Sequence, residues 1–159
     1  MLAREFGLGV AQPFAIGVHG KPAVPGRTSG SFNLSHCGRH ALIGVSATHE
    51  IGVDIEEARR VPGAEAIAAS HFSPGEISSM ERMAGAGDSS STFLDIWTRK
   101  EACLKALGCG FSVAAADVDV GDAPLETVVT PSSALASVRV ASLTVGHNLV
   151  AAVACMEAR

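Results

Sequence analysis

A chain of 159 residues is long enough for one domain with a true core. Its composition, 47% hydrophobic and only 18% charged, excludes a mostly disordered polymer. A net charge of −4 argues against general affinity for nucleic acid or a membrane surface, so neither is expected as a partner. No apolar run reaches the ~18 residues that a membrane span needs. The opening "MLAREFGLGVAQP" carries Arg4 and Glu5 early and interrupts its apolar stretch at Gln12 and Pro13, so no signal peptide is expected. The four cysteines, Cys37, Cys103, Cys109 and Cys155, form no CxxC pair and lack the density of a disulfide scaffold. A reduced cytoplasmic protein is the expectation.

In chain order, residues 2–9 read as the end of a short helix stopped by Gly7 and Gly9, and "QPFAIGV" (12–18) as a weakly alternating edge strand. The Gly-, Pro- and Ser-rich stretch 19–31 is a loop. "HALIGVS" (40–46) and "EIGVDIE" (50–56) read as strands, and the short connection between them would allow an antiparallel hairpin. "SPGE" (73–76) is a strong helix start, with Ser73 as N-cap, Pro74 in the first position and Glu76 closing a capping box. That helix should end near the polar loop 84–91. Thr92 with Asp95 is a second capping-box candidate, and Gly108 suits the end of the helix it would open. Strands are predicted near 114–120, 136–143 and 148–155. The order of elements suggests an α+β fold of two lobes in one compact unit.

The helix of "WTRKEACLKALGCG" (97–110) has charges in unexpected places. At ~100° per residue, Phe93, Ile96, Trp97, Leu104 and Leu107 share one face. Lys100 falls inside that face, Glu101 lies at its edge and Lys105 just beyond. Glu101 can reach toward a neighbouring strand or pair with Lys105 one turn on, a contact worth ~0.2–0.5 kcal/mol. Lys100 can be a snorkelling stem. Cys103, on the apolar side, is an ordinary small buried thiol.

In "IGVDIE", strand alternation puts Ile51, Val53 and Ile55 on one face and Gly52, Asp54 and Glu56 on the other. Two carboxylates side by side repel unless a cation sits between them. Hard oxygen pairs suit Mg²⁺, which keeps waters and shares its shell with substrate phosphates. A solvated outer strand face carries the same pattern. Glu101 is the candidate third carboxylate. In "FNLSHCGRH", the run Asn33, Ser35 and His36 feeds a strand and offers hydroxyl, imidazole and backbone donors to a phosphate, or a structural hydrogen-bonding group. Lys21 in "GKP" is a further cation on a loop.

Taken together, "FNLSH", "GVDIE", "FSPGE" and "WTRKEACLKALGCG", with Lys21 in "GKP" upstream, resemble the 4′-phosphopantetheinyl transferases of the Sfp type, from about residue 2 to 155. The resemblance implies an α+β fold of two pseudo-symmetric lobes of antiparallel strands with packed helices. Residues 1–56 would form a partial first lobe, and 57–159 the second. It further implies Mg²⁺-dependent transfer of the 4′-phosphopantetheine arm of coenzyme A, the co-substrate, to a serine of an acyl or peptidyl carrier protein, with release of 3′,5′-ADP. The setting would be fatty-acid, polyketide or nonribosomal-peptide biosynthesis. Asp54, Glu56 and Glu101 resemble the metal carboxylates, with Glu101 also the candidate base, and Lys105 the catalytic lysine near the phosphates. Lys21, Ser35, His36, Lys100 and Lys105 resemble the coenzyme A contacts, His36 toward the 3′-phosphate. Arg59, Arg60 and Arg82 are candidate contacts for an acidic carrier. Sfp-type chains are usually longer, with the extra part before residue 1. Either this chain is self-sufficient with a poorer phosphate grip, or a homodimer or partner chain completes it. The alternatives are a short trimeric holo-acyl-carrier-protein synthase and a degenerate, non-catalytic carrier-binding subunit.

Overall fold

The computed structural model describes residues 13–17, 20–26, 30–84, 89–108, 114–121, 127–129 and 137–156. Its elements are β1 (Ala15–Ile16), β2 (Pro22–Ala23), β3 (Ser31–Cys37), β4 (His40–Ser46), β5 (Ile51–Glu57), α1 (Ala64–His71), α2 (Pro74–Ala84), α3 (Ser89–Leu107), β6 (Thr127–Val129), β7 (Val138–Leu143) and β8 (Leu149–Met156). The fold is α+β with antiparallel pairing throughout these strands. Strands β1 and β2 form a small ribbon, β3 and β4 a hairpin, and a four-stranded sheet runs in the order β5-β8-β7-β6. The expected helix at 2–9 lies outside the described residues.

The hairpin expected between 40–46 and 50–56 is not formed. β4 turns back on β3 through Gly38, whose φ of 50° suits a residue without a Cβ, and β5 pairs instead with β8. "FNLSH" is therefore a strand itself. The proposed lobe division after residue 56 falls inside β5, which belongs to the sheet of the C-terminal strands. The stretch 114–120 is no strand: it holds a 3₁₀ turn at Ala115–Asp117 followed by an extended segment.

Helix α3 lies across the sheet as the central element of the core. Small residues make room for it. Gly52 faces Ala154 and Asp54 faces Ala152 across the β5–β8 pair, and these four share the face under the helix. A Cβ on Gly52 would strike the backbone of α3 at Ala102 and Ala106. On the other side α3 is covered by α1, α2 and the 114–121 segment, so nearly its whole circumference is buried, including Arg99, Lys100 and Thr98. Phe72 stacks on Phe93 and Phe93 on Trp97, with ring centroids 5.2 and 5.9 Å apart.

The helix starts agree with local chemistry in one case and not the other. The Ser73 N–H donates to Glu76 Oε2 at 2.7 Å and the Glu76 N–H to Ser73 Oγ at 3.2 Å, the capping box as expected. Helix α3, by contrast, begins at Ser89, so Thr92 and Asp95 lie inside its first turns and do not open it. It ends at Gly108, with φ 63° and its N–H on the Leu104 carbonyl at 3.0 Å.

Strand β5 is an edge of its sheet, yet two of its outward N–H groups are capped. The Ile51 N–H donates to Ser31 Oγ at 2.8 Å and the Val53 N–H to Asn33 Oδ1 at 2.9 Å. Side chains of β3 thus do what a neighbouring backbone would do, and the hairpin's Gly44 lets Ile51 and Val53 pack against it.

Candidate active site

Because α3 can approach β5 closely at Gly52, its residues Glu101 and Lys105 come over the strand beside Asp54. Asp54 is 5% exposed, so the outer-face reading of this carboxylate fails. Its Oδ1 accepts from Ser35 Oγ at 2.7 Å and from Lys105 Nζ at 2.7 Å. Lys105 Nζ also donates to Ser35 Oγ at 3.2 Å and to the Val53 carbonyl at 3.2 Å. The lysine therefore pairs with Asp54 across the cleft rather than with Glu101 along its own helix. Asp54 Oδ2 is buried and has no hydrogen-bond partner. A buried, orphaned carboxylate oxygen is costly unless something outside the chain completes it.

Glu101 is half-buried. Burial, and next the charge of Asp54, raise its proton affinity above the ordinary glutamate range, with Glu56 adding to the rise and Lys105 and His71 opposing it. Glu56 shares the Asp54 face of β5 but lies nearer the surface, with Oε2 3.5 Å from Arg59 Nη2. Among the described residues no three His, Cys, Asp or Glu side chains already converge on one point. The chemistry of the set nevertheless fits a hard divalent cation. Asp54 offers an unused oxygen, Glu101 sits in an excess of negative charge, and Lys105 stands as counter-ion.

The other expected site residues are distributed as follows. Ser35 joins Asp54 and Lys105 directly. His36, next along β3, points the opposite way and is exposed, as alternation requires. Lys21 Nζ is paired with Glu50 at 2.6 Å and lies 3.5 Å from the Ala106 carbonyl near the C-terminal end of α3. Lys100 is 2% exposed and is held by Glu76 at 2.8 Å and by the carbonyls of Ala115 and Val118 at 2.7 and 2.6 Å. The structure thus places this lysine at the inner wall of the hollow that Glu101 lines, its ammonium engaged by Glu76 and two carbonyls. Of the candidate carrier contacts, Arg59 and Arg60 are exposed and Arg82 donates to Ser79 Oγ at 2.6 Å.

Sequence reading missed His71. It lines a hollow of about 170 Å³ with Ser70, Trp97, Lys100, Glu101, Leu104, Ala114 and Ala115. Its ring meets Trp97 edge-on at 5.9 Å, and Nδ1 is 3.0 Å from the Ile67 carbonyl. Only spatial neighbours, not periodicity, bring it to Glu101. Cys103 is fully buried, and burial pushes its thiol up to about 12, which makes it inert at neutral pH.

Known proteins resemble this chain over much of its length. A 4′-phosphopantetheinyl transferase of Bacillus subtilis is 34% identical over 112 residues, 70% of this chain and 48% of that one. AcpT of Salmonella typhi is 39% identical over 92 residues, 58% of this chain and 47% of that one. Sfp of Bacillus subtilis is 31% identical over 100 residues, 63% of this chain and 43% of that one, so the Sfp type is not singled out. The chain spans less than half the length of these curated relatives. A crystal structure of Thermotoga maritima holo-[acyl-carrier-protein] synthase aligns over 69% of this chain and 64% of that chain, with 19% identity and a TM-score of 0.45. The family model of the 4′-phosphopantetheinyl transferase superfamily matches residues 50–154, a span that takes in Asp54, Glu56, Glu101 and Lys105. By that match, the chain belongs to the 4′-phosphopantetheinyl transferase superfamily.

Proposed function

We propose that the protein transfers the 4′-phosphopantetheine group of coenzyme A to a serine hydroxyl of an acyl or peptidyl carrier protein. The observation that carries this reading is the Asp54 carboxylate. One oxygen is fixed by Ser35 and Lys105, and the other is buried without a partner beside Glu101, whose proton affinity burial and the Asp54 charge raise.

Asp54 and Glu101, with Glu56 turning from Arg59, would hold Mg²⁺. When bound, the ion neutralises the pyrophosphate and polarises the phosphorus under attack. Glu101 is the catalytic base. As the serine oxygen bonds to phosphorus and the bond from phosphorus to 3′,5′-ADP breaks, the serine proton passes to its carboxylate. The raised proton affinity suits that acceptance. Lys105 offsets charge developing on the departing 3′,5′-ADP. Ser35 orients both Asp54 and Lys105, and exposed His36 is the contact for the 3′-phosphate. Lys21 is paired with Glu50 and Lys100 with Glu76, so each would exchange that partner to meet coenzyme A. The exposed Arg59 and Arg60 favour an acidic carrier near the cleft, an attraction that weakens with salt.

The test is transfer from coenzyme A to a generic carrier protein with Mg²⁺, read as the mass of the modified carrier. The expected result is a Mg²⁺-dependent holo-carrier, with turnover abolished in Asp54→Ala and Glu56→Ala. Near wild-type turnover in Asp54→Ala would refute the metal assignment. Absence of transfer by the wild type to acyl and peptidyl carriers alike would refute the function.

A further inference from the structure

The buried Glu76–Lys100 pair lies one residue from Glu101 and does more than neutralise itself. Lys100 Nζ spends its three donors on Glu76 Oε2 and on the carbonyls of Ala115 and Val118. Glu76 Oε1 accepts the Val120 N–H at 2.8 Å, while Oε2 also accepts the Ser73 N–H at 2.7 Å. Two further bonds reinforce the same stretch. Ser73 Oγ is 3.0 Å from Asp119 Oδ2, and Arg99 Nη2 donates to the Val120 carbonyl at 2.7 Å.

Among the described residues, 118–121 pair with no strand, and the backbone–backbone bonds of the short 3₁₀ turn before them are local. The segment is held by its buried Val118 and Val120 in the core and by this set of side chains, which reach it from the start of α2 and the middle of α3 and take up its backbone groups. Its first residues, Ala114 and Ala115, form a wall of the hollow that Glu101 and His71 also line, and Lys100 itself contributes to that lining.

We infer that Glu76 and Lys100 are a positioning pair: they clamp the 114–120 segment against α3 as the wall beside Glu101, and fix the rotation of α3 that aims Glu101 into the cleft. The consequence for catalysis rests on the transferase reading, whereas the clamp does not. A buried pair costs desolvation, and apolar replacement of both partners is often neutral for stability. Holding a segment without regular structure against a reacting group is a use that such a pair serves and an apolar pair would not. Displacing a positioned group by about 1 Å costs on the order of 100-fold in rate.

The experiment compares the wild type with the double variant Glu76→Gln/Lys100→Met, which leaves no uncompensated buried charge. Amide hydrogen exchange is measured by NMR at Asp117, Val118 and Val120, with β5 and β8 amides as internal reference. In the clamp's absence these three amides should exchange about tenfold faster or more while the reference amides stay unchanged. The transfer kcat should fall about tenfold or more with the KM for coenzyme A within about twofold. Unchanged exchange at 117–120 in a folded double variant overturns the clamp. Faster exchange with unaltered kcat overturns the link to Glu101. Reference amides that accelerate equally show a global stability effect and overturn the proposal. If the wild type transfers nothing, the transferase reading falls on its own, and the exchange data still decide the clamp.

Discussion

Glu101 holds its proton more tightly in the fold than in the unfolded chain, because burial and the Asp54 charge both oppose its ionisation. The folded value being the higher one, the stability this residue contributes is fully present below the ordinary glutamate range. It is lost as pH rises through the raised folded value. Glu101→Gln should therefore raise the melting temperature of the metal-free protein at about pH 8 and leave it unchanged near about pH 4. Added Mg²⁺ should reverse the order at the higher pH, stabilising the wild type and not the variant. A scanning-calorimetry series across pH, with and without the ion, reads both. Equal melting temperatures at every pH would contradict the electrostatic picture. At this scale the sequence was informative about direction and silent about neighbours. Helical angles set Lys100, Glu101 and Lys105 at distinct positions around α3. Whether Lys100 met substrate or core depended on Glu76 and on two carbonyls of an irregular segment, which no periodicity contains. Asp54 and Glu56, side by side by alternation, differ in the fold because burial falls off toward the end of β5.

Among the elements, the crossing of α3 over β5 is the contact on which the site's geometry rests. It is closest at Gly52, where a Cβ would meet helix backbone rather than a yielding side chain. Gly52→Ala should cost about 3 kcal/mol or more, visible as a lower midpoint in chemical denaturation. It should also weaken Mg²⁺ binding by shifting Glu101 and Lys105 away from Asp54. A variant with wild-type midpoint and affinity would show that the helix has room to spare. Elements specified locally were legible. The SPGE box opens α2 because its partners lie three residues apart, and Gly108 closes α3 for a similarly short-range reason. Pairings between distant segments were not. β4 and β5 are both good strands with a short link, and nothing nearby in sequence says that β4 pairs with β3 and β5 with β8. The stretch at 114–120 has strand-like residues, but Glu76, Arg99 and Lys100 take up its backbone groups.

For the molecule as a whole, apolar side chains remain exposed on the N-terminal strands. Ile16 is 69% exposed and Phe14 44%, and Leu34 and Ile43, at 47% and 43%, stand directly opposite each other across the hairpin. The exposed Leu34–Ile43 pair, with Phe14 and Ile16, favours a contact with another surface. The expected outcome is a dimer by light scattering that dissociates on dilution, and Ile43→Glu should give a monomer with an unchanged fold. A monomer at all concentrations would refute association. The two-lobe picture from sequence captured the strands and helices of an α+β chain, but not that β5 is drawn into the C-terminal sheet.

The capping of β5 by Ser31 and Asn33 has a dynamic consequence. The β3–β4 hairpin carries its own ladder of backbone bonds but is joined to the larger sheet by side chains and by packing around Gly44. A seam of that kind can part without breaking either ladder, so the hairpin should open as a unit of its own. Each such opening lifts Ser35 off Asp54 and lets water reach the one carboxylate oxygen that the chain leaves unpaired. Native-state exchange should therefore release amides of Ser31–Ser46 at a lower free energy than those of Ile51–Glu57 and Leu149–Met156. Mg²⁺ should slow the hairpin amides more than the sheet amides, because an ion held at Asp54 would favour the closed seam.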